Sequence, residues 1–111
     1  MMDDNKGVVG SVIQPSKIIL KKEVFSDQPR FTIMFLIYLN KTVGFTELKR
    51  LLKLTPGNLD HHIKKLEKAG YVIVRKKFSW RPLNVVEITH KGAEAFRDYA
   101  SNLKHMLKDI K

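Results

Sequence analysis

Residues 46–70 read Thr46-Glu47-Leu48-Lys49-Arg50-Leu51-Leu52-Lys53-Leu54-Thr55-Pro56-Gly57-Asn58-Leu59-Asp60-His61-His62-Ile63-Lys64-Lys65-Leu66-Glu67-Lys68-Ala69-Gly70. Leu48, Leu51 and Leu52 recur at i, i+3 and i+4, the spacing of a short helix with one buried face. Thr46 stands where that helix would be N-capped, and Leu54-Thr55-Pro56-Gly57 breaks it. Thr55 then reads as a second N-cap with Pro56 at the first helical position, where a missing N–H costs nothing. From about Pro56 to Ala69 the stripe Leu59, Ile63, Leu66 marks another helix, and Gly70 suits its C-terminal turn. Two helices joined by so short a turn form a helix-turn-helix.

The flanking sequence completes a small domain. Downstream, Tyr71–Val74 is β-branched and aromatic and reads as a strand. Arg75–Pro82 is polar and basic and reads as a loop. Leu83–Thr89 reads as a second strand with Val86 and Ile88 on one face, so the pair is a hairpin. Thr89 caps a last helix reaching toward Ile110. Upstream, Phe31–Leu39 is apolar at almost every position and predicts a helix buried on most sides. Ser26-Asp27-Gln28-Pro29 is its start signal and Asn40-Lys41-Thr42 its end, with Val43-Gly44-Phe45 a very short strand. Ile18–Phe25 reads as a short helix, with a strand as the alternative, beginning at Pro15-Ser16. Met1–Gln14 reads as a poorly ordered lead-in. The fold class expected is mainly α with a small β-hairpin. The divisions are a flexible segment 1–15, a DNA-binding domain 16–92 and a C-terminal dimerisation helix 93–111 packed on it.

Charge points to the partner. The 111 residues carry 21 Lys and Arg against 11 Asp and Glu, a formal net charge of +10. Such an excess on a small chain favours a polyanion. Between Thr46 and Arg81 ten basic residues face three acids, Glu47, Asp60 and Glu67. The chain has no cysteine, which excludes disulfides and thiolate metal sites. No apolar run reaches the roughly 20 residues of a membrane span. The first residues lack a signal-peptide core, so the expected location is the cytoplasm.

At about 100° per residue, Gly57, His61, Lys64 and Lys68 lie opposite the Leu59–Ile63–Leu66 stripe, flanked by Asn58 and Lys65. Gly57, Asn58 and His61, near the N-terminus, are candidate base contacts in a major groove. Lys64, Lys65 and Lys68 suit phosphates. Thr46 and Thr55, at the helix starts, join them as candidate DNA contacts. Arg75, Lys77 and Arg81 do so from the hairpin loop, where a tip arginine suits a narrow minor groove. Trp80 could stack, but packing on the hairpin or on a partner subunit is favoured. Asp60 could accept from a cytosine amine; its i,i+4 spacing to Lys64 favours a local ion pair.

The runs Phe45-Thr46-Glu47-Leu48 and Leu54–Val72, with Arg81-Pro82 and Thr89-His90-Lys91-Gly92, resemble the winged helix-turn-helix regulators of the MarR/ArsR type. They are most similar to a small archaeal and bacterial branch, and the resemblance covers roughly residues 25–100. It implies a winged helix, a homodimer and transcriptional regulation, with Asn58, His61, Lys64, Lys65 and Arg81 toward DNA. His62 matches a family histidine beside the core. Metal-sensing relatives use cysteine-rich sites, which this chain cannot build. Larger relatives hold lipophilic effectors between their dimer and DNA-binding regions, and so short a chain leaves little room for such a pocket.

Phe96, Tyr99, Leu103, Met106 and Ile110 repeat at spacings of three and four, a heptad seam expected to dimerise together with the apolar segment Ile18–Phe25; the alternative is a helix lying across its own domain. Two-fold symmetry would present two recognition helices to successive major grooves. Enzyme readings lack parts. There is no glycine-rich phosphate loop and no paired-histidine metal motif, and His61, His62, His90 and His105 fall on different faces or elements. No cofactor or metal is expected. The competing reading is a winged-helix protein-interaction module, or a non-specific chromatin-type DNA binder.

Overall fold

The structure, a computed structural model, describes residues 23–78 and 80–110. The described helices are α1 (Glu23–Ser26), α2 (Gln28–Asn40), α3 (Phe45–Leu52), α4 (Pro56–Lys68) and α5 (His90–Leu107). The strands are β1 (Thr42–Gly44), β2 (Val72–Phe78) and β3 (Pro82–Ile88). They form one antiparallel sheet in the order β1-β3-β2. The lead-in assigned to residues 1–15 and the helix start at Ser16 lie outside the described residues.

Local signals set most boundaries. Asp27 caps α2 by accepting from Arg30 N–H at 3.2 Å, with Pro29 in the first turn. Thr55 caps α4 by accepting from Asn58 N–H at 3.1 Å. Gly70 ends α4 at φ +83°, in the left-handed region that glycine enters at least cost. The turn between α3 and α4 uses no glycine. Lys53 takes φ 55° there, a left-handed cap on a lysine.

The core is one cluster. Ile33, Met34 and Ile37 of α2, Leu48 of α3, the α4 stripe, Val72 and Val86 are all at most 2% exposed. An aromatic layer joins α1, α2 and α5. Phe25 stacks on Tyr71 at 5.1 Å and meets Phe96 and Tyr99 edge-on, while Phe31 and Tyr38 tilt against Phe96.

Four expectations are corrected. Thr46 does not cap α3, because the helix starts at Phe45 directly from β1, with Gly44 as a cap that has no side-chain bond. Register explains this, since Gly44 is still paired with Val85 of β3. Residues 75–78 are strand rather than loop: Arg75 pairs Val85, Lys76 pairs Asn84, Lys77 pairs Leu83 and Phe78 pairs Pro82. Backbone ladder bonds hold that extension, so its side chains need no buried face. Helix α2 is not buried on most sides, for Phe35 and Leu39 are 46% and 61% exposed. Finally, the expected C-terminal seam is largely spent inside the protomer. Phe96 and Tyr99 are buried in its own core, and Leu103 and Met106 pack against that core. Ile110 lies beyond the end of α5 and is 70% exposed.

Two polar devices position α4. At its C-terminal end, the Thr89 hydroxyl donates to Gly70 O at 2.7 Å and accepts from Gly92 N–H at 2.9 Å. One side chain thereby caps α5 and ties it to the end of α4. Gly92 is buried there, and a Cβ on it would overlap the backbone carbonyl of Tyr71. Near its middle, Arg30 donates through Nε to Val24 O at 2.9 Å and through Nη1 to His62 Nδ1 at 3.1 Å. A guanidinium only donates, so His62 accepts as a neutral imidazole. Burial is the first cause that holds its pKa below the ordinary 6.5; Asp27 opposes, while Arg30, His61 and Lys65 add to the lowering.

Two outcomes are expected. Gly92→Ala forces backbone apart and should cost on the order of 2–3 kcal/mol or more, read from denaturant midpoints; an unchanged midpoint contradicts the close approach. For His62, the unfolded chain takes up a proton below about 6.5 while the folded chain resists it. The stabilising contribution is therefore complete above that value and is lost as pH falls through the lower, folded pKa. Melting temperature should drop between pH 7.5 and 5.5 more steeply in the wild type than in His62→Gln. Parallel profiles would remove His62 from the account.

Candidate nucleic-acid interface

The exposed side of α4 follows from what it buries. With Leu59, Ile63 and Leu66 inward, Gly57, Asn58, His61, Lys64, Lys65 and Lys68 are all exposed on the remaining arc. Thr55 is exposed at the same end, with its hydroxyl engaged as the cap. Nothing of the fold lies within 4 Å of a Cβ built on Gly57. A glycine in a helix has a cost relative to alanine, and here no neighbour demands it. His62 points the other way, into its contacts with Arg30 and Asp27, and is not part of this surface.

Charge on this surface is only partly neutralised. Lys64 Nζ sits 3.1 Å from Asp60 Oδ2, the i,i+4 ion pair expected from spacing. Arg75 Nε donates to Glu87 Oε1 at 2.7 Å across the sheet. Both pairs are solvent-exposed and so worth little, within about 0–1 kcal/mol; a phosphate could displace either carboxylate. Among the described residues, Lys65, Lys68, Lys76, Lys77 and Arg81 make no ion pair.

Folding brings together groups that lie far apart in sequence. A cleft of about 480 Å³ between the start of α3 and the hairpin is lined by Thr46, Glu47, Arg50, Arg81, Asn84 and neighbouring backbone. Thr46 and Arg81, both candidates from sequence, share its walls. Arg50 and Asn84 were not singled out there. Their place depends on pairing β1 with β3, which no local pattern announces. Arg75 and Lys77 lie along the exposed strand β2, and Arg81 lies at the tip, its guanidinium 4.7 Å from the centroid of the Trp80 ring. Trp80 does not pack on the hairpin core, being 83% exposed.

Elsewhere, α2 and α5 enclose an apolar cleft of about 520 Å³ lined by Phe31, Phe35, Leu39, Phe96 and Ala100, with Arg97 and Lys104 at its rim. Among the described residues, no three His, Cys, Asp or Glu side chains come together as a metal site. No described helix is long and apolar enough to cross a membrane.

This arrangement has relatives. A family model described as winged helix DNA-binding domain matches residues 29–107. The chain is 37% identical over 89 residues to the uncharacterized protein MJ0432 of Methanocaldococcus jannaschii, covering 79% of this chain and 97% of that one. Its structure is similar to that of a transcriptional regulator homologue from Pyrococcus horikoshii, with TM-score 0.83 and 34% identity over 89% of this chain and 99% of that one. It is also similar to a MarR-like transcriptional regulator from Thermotoga maritima, with TM-score 0.63 and 26% identity, covering 80% of this chain and 64% of that one. Family and fold thus point to a DNA-binding regulator rather than an enzyme. With its helix-turn-helix, three-stranded sheet and basic hairpin, the chain belongs to the winged helix DNA-binding domain family.

Proposed function

We propose that this protein is a sequence-specific, double-stranded DNA-binding transcriptional repressor that works as a homodimer in the cytoplasm. Helix α4 enters the major groove and the β2–β3 wing follows the minor groove. The observation that carries the reading is the exposed face of α4, where amide, imidazole and ammonium groups surround a glycine that the fold leaves open. Asn58 and His61 read base edges, and Gly57 lets the duplex approach. Lys64, Lys65 and Lys68 contact phosphate, as do Arg75, Lys77 and Arg81 from the wing. Thr46 and Thr55 contact backbone from the two helix starts.

The dimer reading rests on surface the protomer leaves uncovered. Phe35 and Leu39 of α2, Leu107 of α5 and Ile110 are 46%, 61%, 54% and 70% exposed. They replace Phe96 and Tyr99 as the residues offered to a second copy, with Leu103 and Met106 at the margin. The Thr89 tie between α5 and α4 would pass the spacing set by the dimer to the recognition helices.

Fluorescence anisotropy with promoter and random duplexes over a range of salt tests the DNA reading. Lys65→Ala should weaken binding on every duplex and lower the salt slope by about one. Asn58→Ala should cost roughly 1–3 kcal/mol on the preferred duplex alone. Absence of binding at low salt would replace this reading with that of a protein-interaction module, and equal affinity for all duplexes would leave a chromatin-type binder. For the dimer, Phe35→Glu with Leu39→Glu should convert the species seen by sedimentation into a monomer without loss of helicity. A monomeric wild type would remove the homodimer from the proposal.

A further inference from the structure

The wing ends in an aromatic tip. The β2–β3 ladder runs out to the pair Phe78↔Pro82, beyond the part of the sheet that the core covers. Val72 is buried, Val74 is 41% exposed and Phe78 is 77% exposed. Trp80 is 83% exposed, and its one ring contact among the described residues is the Arg81 guanidinium. Large aromatics left in water forgo the burial that usually accounts for their presence.

Charge narrows the partner. Residues 75–82 hold Arg75, Lys76, Lys77 and Arg81 and no acid. An apolar protein surface has no use for four cations around two rings. A polyanion carrying flat apolar faces does, and a nucleic acid has both phosphates and bases. The cation–π contact leaves one face of Trp80 open and sets a positive charge beside it.

We infer that Phe78 and Trp80 form a wedge that the wing drives into the minor groove of the bound duplex, partly unstacking and bending a base step. This rests on the DNA-binding reading above and deepens it. Apolar side chains inserted between base pairs kink DNA, and flexible pyrimidine–purine steps yield most easily. The wing would therefore select deformable steps at positions that α4 never touches. Arg81 orients Trp80 and holds the neighbouring phosphate.

The chain's single tryptophan makes the test direct. Trp80 emission and its quenching by acrylamide are followed in the full-length protein as unlabelled duplex is added. Anisotropy of a labelled duplex reports binding separately, and energy transfer between dyes on the duplex ends reports bending. Trp80 should become protected from acrylamide at saturation, more on duplexes with a central TA step than on A-tracts. Trp80→Ala and Phe78→Ala should each weaken binding roughly 5- to 150-fold, the range of aromatic–base stacking. They should abolish bending and leave both the salt slope and the melting temperature unchanged. Arg81→Ala should lower the slope by about one.

Binding by anisotropy with unaltered Trp80 emission and quenching overturns the wedge and leaves the DNA reading standing. No binding to any duplex removes both. Protection that rises with protein concentration in the absence of DNA gives the tip to a second copy and overturns the proposal.

Discussion

The interaction on which the rest depends is the burial of Leu59, Ile63 and Leu66 against Ile33, Met34 and Ile37, all at most 2% exposed. A helix of 13 residues gains little from its own hydrogen bonds in water. Packing this stripe makes α4 permanent, and it also fixes the helix about its axis. Rotation by one residue position in either direction would bury a lysine, Lys64 or Lys65. Holding the apolar stripe inward therefore holds Gly57, Asn58, His61 and the lysines outward, so the stability of the domain and the orientation of its reading surface have one cause.

Polar contacts refine what the core sets. Thr89 fastens the end of α4 to the beginning of α5, and Arg30 fastens the middle of α4 to α1 and α2 through His62 and Val24 O. Each is partly buried, and each satisfies groups that would otherwise be costly to leave unpaired. They leave the outer face of α4 free of tertiary obligations. The two ion pairs that do involve proposed DNA-contacting residues, Lys64–Asp60 and Arg75–Glu87, are exposed and exchangeable.

The wing is built on different terms. Past the pair Arg75↔Val85 no described hairpin residue is buried, so the form there comes from backbone pairing. Polar and basic residues are tolerated on both faces there, which is why residues 75–78 carry no strand-like alternation and read as loop. Their exposure puts cations and aromatic rings well out from the body of the domain, where a duplex lying on α4 would meet them.

The sequence by itself determined the helix-turn-helix and the two faces of α4, because caps, proline placement and the 3.6-residue period act within a single turn or two. The pairing of Lys64 with Asp60 was legible for the same reason. Tertiary structure alone decided the destination of α5. Phe96 and Tyr99 have the spacing of a dimer seam, yet Phe25, Phe31 and Tyr38 reach them first, and periodicity cannot say which surface an apolar stripe will meet. It likewise decided that Thr46, Arg50 and Arg81 share a cleft and that Arg30 holds His62. These partners are 31 or more residues apart in three of the four pairings, and they meet only because β1 pairs with β3 and α2 packs on α4. Local rules specify what each element is; non-local packing specifies what it faces.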